Sequence, residues 1–100
     1  RRPVVFMQNS GLALAMNALG SLAAIYRIPM LLVIGWRGHG NDSPEHSLLG
    51  AATPALLDAL RLPFFVPDSE SLRSDVARAS RTLDTQPAPC ALLCKPGVVC

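Results

Sequence analysis

The stretch PVVFMQNSGLALAMNALGSLAAIY, residues 3–26, decides the fold of this chain. Its first part, Pro3 to Met7, is a short apolar run that predicts a buried strand. The polar turn Gln8–Gly11 follows, and Leu12 to Tyr26, rich in Ala and Leu, then predicts a helix. This stretch therefore predicts a strand that passes through a polar turn directly into a helix.

The polar turn supports two interpretations. In open α/β sheets, ligands bind beyond the carboxyl ends of strands, where helix N-termini present free N–H groups. Gln8, Asn9, Ser10 and Gly11 occupy that position in the predicted unit. The alternative is an ordinary helix N-cap, because Asn or Ser in front of a helix commonly has only a structural role. The turn alone leaves both open.

The rest of the chain continues the alternation of strands and helices. The predicted strands are Pro29–Trp36, Leu62–Val66 and Ala91–Cys94. One predicted helix opens at Thr53-Pro54 and ends at about Leu60, and another is capped by Asp68 or Ser69 and ends at about Leu83. Between them, Gly35 to Pro44 is predicted as a loop and Glu45 to Gly50 as one helical turn. This order predicts an α/β fold, a parallel sheet with flanking helices, in one small domain.

Two helix details accompany this prediction. Thr53-Pro54 has the form of an N-cap followed by proline at the first helical position. The last helix is predicted to bury one face, formed by Leu72, Val76, Ala79 and Leu83.

The composition indicates a partner-covered domain and gives no sign of nucleic-acid or membrane binding. Half of the residues are hydrophobic and only 16% are charged, which for a small domain indicates a surface partly covered by a partner. The basic residues are scattered, without the basic stripe and aromatic residues of a nucleic-acid-binding protein. Neither a signal peptide nor a membrane span fits the apolar runs. We therefore expect a cytoplasmic protein, as a fragment or domain of a longer chain, that binds no nucleic acid and no membrane.

The cysteines give little indication of a metal site. Cys90, Cys94 and Cys100 are an odd number, and Cys90-x-x-x-Cys94 lacks the usual zinc spacing. The simplest role for Cys90 and Cys94 is that of small hydrophobic residues in the last strand. No other pattern in the sequence predicts a metal-binding cluster.

A second polar loop, Trp36-Arg37-Gly38-His39, ends the second predicted strand. If the two strands are parallel, both loops emerge at one edge of the sheet. Arg37 could present its guanidinium to a carboxylate, sulfonate or phosphonate, or form a surface ion pair with Asp42 or Glu45. His46 is either a proton donor or anion partner, or a plain residue at the start of a helix.

Four blocks of the sequence carry a family resemblance. They are Met7–Leu12 with Asn17–Leu19 and Ser21–Leu22, then Ile28–Gly38, then Asp42–His46 with Gly50, Thr53, Leu56–Leu57 and Leu62–Pro63, and finally Ala91–Lys95. In this register they resemble the pyrimidine-binding domain of thiamine-diphosphate-dependent decarboxylases of the sulfopyruvate and phosphonopyruvate group. Two details depart from the family pattern: Ala13-Leu14 replaces Gly-Asn, and one carboxylate has moved within Asp42–His46.

The resemblance implies a set of site residues. Thiamine diphosphate is expected beside Gln8, Asn9, Ser10 and Gly11. The 2-oxo acid substrate, sulfopyruvate or phosphonopyruvate, is expected beside Trp36, Arg37, Gly38 and His46. The family's catalytic glutamate lies upstream of the block that contains Met7, and therefore before Arg1.

The resemblance also implies partners. In the family, the diphosphate-binding domain of a partner subunit holds the diphosphate and Mg²⁺, so an oligomer is expected. Residues 1–100 would then form a partial pyrimidine-binding domain that is inactive as an isolated chain. The alternative is a non-catalytic remnant or interaction module with the same fold, which the missing glutamate and the change at Ala13-Leu14 favour.

Overall fold

The computed structural model describes residues 3–98 and confirms the predicted α/β fold. Its strands are β1 (Val4–Gln8), β2 (Leu31–Gly35), β3 (Phe64–Phe65) and β4 (Cys90–Cys94), and its helices are α1 (Asn9–Ala18), α2 (Ser47–Ala59) and α3 (Leu72–Thr85). Helix α1 continues into a π-helical turn, Leu19–Ala23, and a short 3₁₀ turn, Pro44–His46, precedes α2.

All four strands are parallel, in the order β1-β2-β4-β3. The central strand β4 is buried throughout, as expected for a parallel strand covered on both faces. Gln8 pairs with Gly35, and Gly35 pairs with Cys94, so three strands end at the same level. This register brings the loops that follow β1 and β2 to one edge of the sheet, as the sequence predicts.

The two faces of the sheet have separate cores. On one face, α1 and α2 bury apolar side chains against Leu32, Ile34 and Leu93. On the other, Ala79 and Leu83 of α3 pack against Cys90, Leu92 and Cys94. Helix α3 packs on β2, β3 and β4, and β1 keeps Phe6 69% exposed. The sheet surface over β1 is therefore open on the side of α3.

The start of α1 corrects the N-cap interpretation. The helix begins at Asn9, three residues before the predicted Leu12, and Gln8 is the N-cap residue. The Gln8 side chain makes no capping hydrogen bond. Asn9 is inside the helix, and its side chain bonds to distant segments instead of the helix N-terminus. The interpretation of Asn9 or Ser10 as an ordinary N-cap is thus wrong.

The start of α2 is also earlier than predicted. Thr53 and Pro54 lie in the middle of the helix and not at its N-terminus. A proline inside a helix leaves the carbonyl four residues earlier without its N–H partner. Here that carbonyl belongs to Gly50, and the indole of Trp36 binds it. Because a side chain from another segment replaces the missing donor, the helix continues through Pro54.

Helix α3 begins at Leu72, and its buried face differs from the prediction. Ala79 and Leu83 are buried as expected, but Val76 is 41% exposed and Asp75 is buried in its place. The Asp75 carboxylate accepts a hydrogen bond from the Ser71 hydroxyl at 2.9 Å, which satisfies it there. The prediction that Asp68 or Ser69 caps this helix is wrong, because the N-cap residue is Ser71. Asp68 lies before the intervening turn, where its carboxylate accepts from the N–H of Ser71.

Cys90 and Cys94 are buried in the core beneath α3, which confirms their predicted role as small hydrophobic residues. Burial raises the pKa of the Cys90 thiol. Cys100 lies outside the described residues.

Across residues 3–98, no helix is both long and apolar enough to cross a bilayer. The cytoplasmic location stays a prediction.

Candidate functional site

A groove of about 530 Å³ opens where β1, β2 and β4 end. Its floor is apolar and its rim is polar. The floor includes Phe6, Val33, Gly35 and Cys94, and the rim includes Gln8, Trp36, Arg37, Asn41, Asp42 and Lys95. An apolar cleft with a few convergent polar groups is the usual form of a small-molecule site.

Trp36 forms a wall of the groove that is fixed on two sides. Its Nε1 donates a hydrogen bond to the carbonyl oxygen of Gly50 at 2.8 Å. Its ring stacks on His39, with the ring centroids 4.1 Å apart and the planes tilted by 31°. The indole is thus held in one orientation by a hydrogen bond at its edge and a ring at its face.

Arg37 forms a bidentate ion pair with Asp42. Its Nε and Nη2 donate to the two carboxylate oxygens at 2.8 and 2.9 Å. The backbone N–H groups of Gly38 and Ser43 donate to the same carboxylate. The hydrogen bonds from Arg37, and then those from Gly38 and Ser43, hold the pKa of Asp42 well below its usual range.

This pair settles one of the alternatives left open by the sequence. The surface ion pair between Arg37 and Asp42 is present, and the same hydrogen bond raises the pKa of Arg37. A guanidinium has five N–H donors, and Asp42 uses two of them. About three donors therefore remain for a ligand, and the Arg37 side chain is 39% exposed.

Asn9 holds the Arg37 loop from behind. It is only 1% exposed, and its amide nitrogen donates to the carbonyl oxygen of Arg37 at 2.8 Å and to Thr53 Oγ1 at 3.0 Å. Its amide oxygen accepts the backbone N–H of Arg37 at 3.2 Å. Thr53 in turn donates to the carbonyl oxygen of Leu49 at 2.7 Å. One buried amide thus joins α1, the Arg37 loop and α2.

Two glycines allow the same loop to lie directly on α2. A Cβ added to Gly50 would fall 2.6 Å from backbone atoms of Gly38, a separation that no side chain can adopt. Gly38 also has a φ of +84°, which glycine adopts without steric cost. The loop that carries Arg37 is therefore pressed backbone to backbone against the helix.

The predicted site residues fall into two groups. Gln8, Trp36 and Arg37 line the groove together. The others stand outside its lining: Asn9 is buried, Ser10 is exposed on α1, Gly11 is half-buried above Met7, Gly38 lies against Gly50, and His46 is half-buried in the turn before α2. The structure leaves the cofactor and substrate roles of all eight residues as predictions.

Sequence reasoning missed two residues of this site. Lys95 follows β4 and lines the groove. It could have been found, because a third parallel strand must end at the same edge. Thr53 bonds to Asn9, which is 44 positions away, and no local pattern indicates such a contact.

Within residues 3–98, no group of three or more His, Cys, Asp or Glu side chains is arranged to hold a metal ion. The charged side chains on the groove rim are Arg37, Lys95 and Asp42. The Asp42 carboxylate already accepts four hydrogen bonds from Arg37, Gly38 and Ser43.

No family model matches the chain. Individual relatives do. The chain is 38% identical over 68 residues to the sulfopyruvate decarboxylase subunit alpha of Methanococcus maripaludis, a match that covers 67% of this chain and 41% of that protein. A match of 38% over 66 residues to the protein of the same name from Methanothermobacter thermautotrophicus covers 65% and 40%.

A second kind of relative matches over more of the chain. The phosphonopyruvate decarboxylase of Streptomyces viridochromogenes is 35% identical over 96 residues, which is 92% of this chain and 24% of that protein. The chain thus spans about two fifths of the sulfopyruvate relatives and about a quarter of the phosphonopyruvate relative.

Proposed function

We propose that this chain, which belongs by sequence to the sulfopyruvate and phosphonopyruvate decarboxylase group, is part of the pyrimidine-binding domain of a thiamine-diphosphate-dependent decarboxylase acting on one of these 2-oxo acids. The observation that carries the proposal is the 96-residue match to a phosphonopyruvate decarboxylase. The match covers 92% of the chain.

The groove fits one side of a thiamine diphosphate site. It offers an apolar floor for a ring and the exposed amide of Gln8 at its rim. It does not offer a carboxylate for proton transfer, because Asp42 is engaged by Arg37, Gly38 and Ser43. When bound, thiamine diphosphate supplies the electron sink that a 2-oxo acid needs in order to lose carbon dioxide. We assign no proton transfer to the described residues.

The contribution of this chain is binding and orientation. Trp36, fixed by Gly50 and His39, provides a rigid wall against which a substrate can be held. Asp42 holds the Arg37 side chain in one geometry. The remaining N–H groups of Arg37 can then donate to a ligand in the groove. A group held in this way needs little ordering when the ligand binds, which favours affinity.

A partner subunit is part of the proposal. Three of the relatives are named as alpha subunits. Large apolar side chains are exposed along α1 and in the segment that follows it: Leu14, Leu22, Ile25 and Tyr26. Clustered exposed apolar side chains are typical of a surface that a partner covers. We propose that a partner carrying the diphosphate-binding domain, with Mg²⁺, covers part of this chain and completes the site.

The experiment is a decarboxylation assay on the natural protein that contains this chain, with its partner subunit, thiamine diphosphate and Mg²⁺. We expect carbon dioxide to be released from sulfopyruvate or phosphonopyruvate. Omission of thiamine diphosphate should abolish the release. No carbon dioxide from either substrate, with a folded complex, would refute the proposed function.

The second candidate is a non-catalytic interaction module with the same fold. It is favoured by the commitment of both Asn9 and Arg37 to internal hydrogen bonds, which a purely structural loop would also show. The two candidates differ in Arg37→Ala. An enzyme that uses Arg37 for its substrate should show a strongly raised KM, whereas a module should keep partner binding and show no turnover in either form.

A further inference from the structure

The charge balance of the groove singles out one residue. Three charged side chains line it: Arg37, Asp42 and Lys95. Arg37 and Asp42 neutralise each other through their bidentate pair. The net positive charge of the groove therefore resides on Lys95, which is also the single lysine of the sequence.

Lys95 is positioned by the strand ends. The backbone N–H of Trp36 donates to the carbonyl oxygen of Cys94 at 2.9 Å. Lys95, the next residue after Cys94, therefore lies beside Trp36. Lys95 is half-buried and has no ion-pair partner in the part of the chain from 3 to 98. Its charge contributes only the weakest of the effects that lower the pKa of Asp68, where the N–H of Ser71 dominates.

The surroundings of Lys95 suit an anionic oxygen ligand. The floor beside it is apolar, and an apolar surface strengthens the attraction between opposite charges. The neutral amides of Gln8 and Asn41 stand on the same rim and can donate hydrogen bonds to further oxygens. Because Arg37, Gly38 and Ser43 already engage the Asp42 carboxylate, Lys95 is left to form a charge-assisted hydrogen bond with a sulfonate or phosphonate.

We infer that Lys95 binds the second acidic group of the substrate, the sulfonate or phosphonate, and thereby distinguishes these 2-oxo acids from pyruvate. This inference rests on the proposed function for its substrate class. In this arrangement, Asp42 holds Arg37 in place, and the unpaired charge of Lys95 attracts the sulfonate or phosphonate of the substrate.

The kinetic test uses Lys95→Gln in the full protein with its partner subunit, thiamine diphosphate and Mg²⁺. The matched control is Arg73→Gln, which removes an exposed charge on α3 from a side chain outside the groove lining. Loss of one charge-assisted hydrogen bond predicts a KM for sulfopyruvate or phosphonopyruvate raised by about tenfold to hundredfold. The KM for pyruvate should stay the same, Lys95→Arg should restore most of the binding, and Arg73→Gln should change neither KM.

An unchanged KM for both acids in Lys95→Gln would overturn the inference. An equal rise for pyruvate would also overturn it, because the effect would then concern the shared carboxylate or the fold.

A second measurement needs neither a variant nor turnover. The wild-type protein is acetylated with acetic anhydride in the presence of sulfoacetate or acetate, and modification of Lys95 is quantified by mass spectrometry. Sulfoacetate should protect Lys95 and acetate should not. Equal modification under both conditions would overturn the inference even where the wild-type protein releases carbon dioxide. Failure of wild-type decarboxylation with Lys95 still protected would refute the proposed function and leave the anion-binding role of Lys95 in place.

Discussion

The indole Nε1 of Trp36 donates a 2.8 Å hydrogen bond to the carbonyl oxygen of Gly50, a carbonyl that α2 itself cannot pair. The residue four positions later is Pro54, which has no N–H and lies inside the helix. Pro54 thus leaves the Gly50 carbonyl free to accept the hydrogen bond that fixes Trp36 at the groove. The proline and the tryptophan form one structural unit although they belong to different segments.

This relationship predicts coupling between Trp36 and Pro54. Trp36→Phe leaves the Gly50 carbonyl unpaired and should destabilise the protein by about 1–3 kcal/mol beyond the lost packing. In a Pro54→Ala background, a restored helical N–H can pair with that carbonyl, so the same Trp36→Phe change should cost less. The measurement is a double-mutant cycle on urea denaturation midpoints followed by circular dichroism. Equal costs in both backgrounds would contradict the explanation.

The contact between Gly38 and Gly50 predicts that Gly50→Ala is severely destabilising. The added methyl would lie 2.6 Å from the Gly38 backbone, which cannot rotate away as a side chain could. Overpacking of this kind costs about 3 kcal/mol or more in unfolding free energy. The matched control is Gly35→Ala, whose added methyl would meet only the Met7 carbonyl oxygen at 3.8 Å. Similar denaturation midpoints for the two variants would show that the close approach is not a constraint.

Asn9→Ala should loosen the Arg37 loop. It removes three hydrogen bonds of a buried amide and leaves the backbone N–H and carbonyl of Arg37 without these partners. Unsatisfied buried groups predict a loss of about 2 kcal/mol in unfolding free energy. The matched control is Asn17→Ala on the exposed side of α1, where the amide only accepts from Ser21. That change should stay within about 0.5 kcal/mol, and comparable losses at both positions would contradict the role given to Asn9.

The parallel sheet and the polar edge could be predicted because they depend on local patterns. Apolar runs that end in polar loops mark strand ends, and alternation with helices makes the strands parallel. The errors arise where a distant residue changes a local preference. Thr53 and Pro54 have the form of a helix start, but bonds to Asn9 and Trp36 hold them inside α2. Asp75 has the character of a surface residue, yet Ser71 satisfies it in a buried position.

The ion pair between Arg37 and Asp42 predicts a specific dependence of stability on pH. The pKa of Asp42 in the folded protein lies well below its ordinary value of 3.8, first because of Arg37 and then because of the N–H groups of Gly38 and Ser43. A carboxyl group whose pKa is lowered by folding stabilises the protein above its unfolded pKa. That contribution is lost as the pH falls through the folded pKa, because the folded protein must then also bind the proton.

The measurement compares the urea midpoints of the wild-type protein and Asp42→Asn between pH 7 and pH 2. The difference should be constant above about pH 5, where the carboxyl is ionised in both the folded and the unfolded chain, and should shrink steadily below about pH 4. In an Arg37→Met background the largest cause of the shift is absent, so both the difference and its decline should be smaller. A difference that stays constant down to pH 2, or that is the same in both backgrounds, would mean that Arg37 does not stabilise the Asp42 carboxylate.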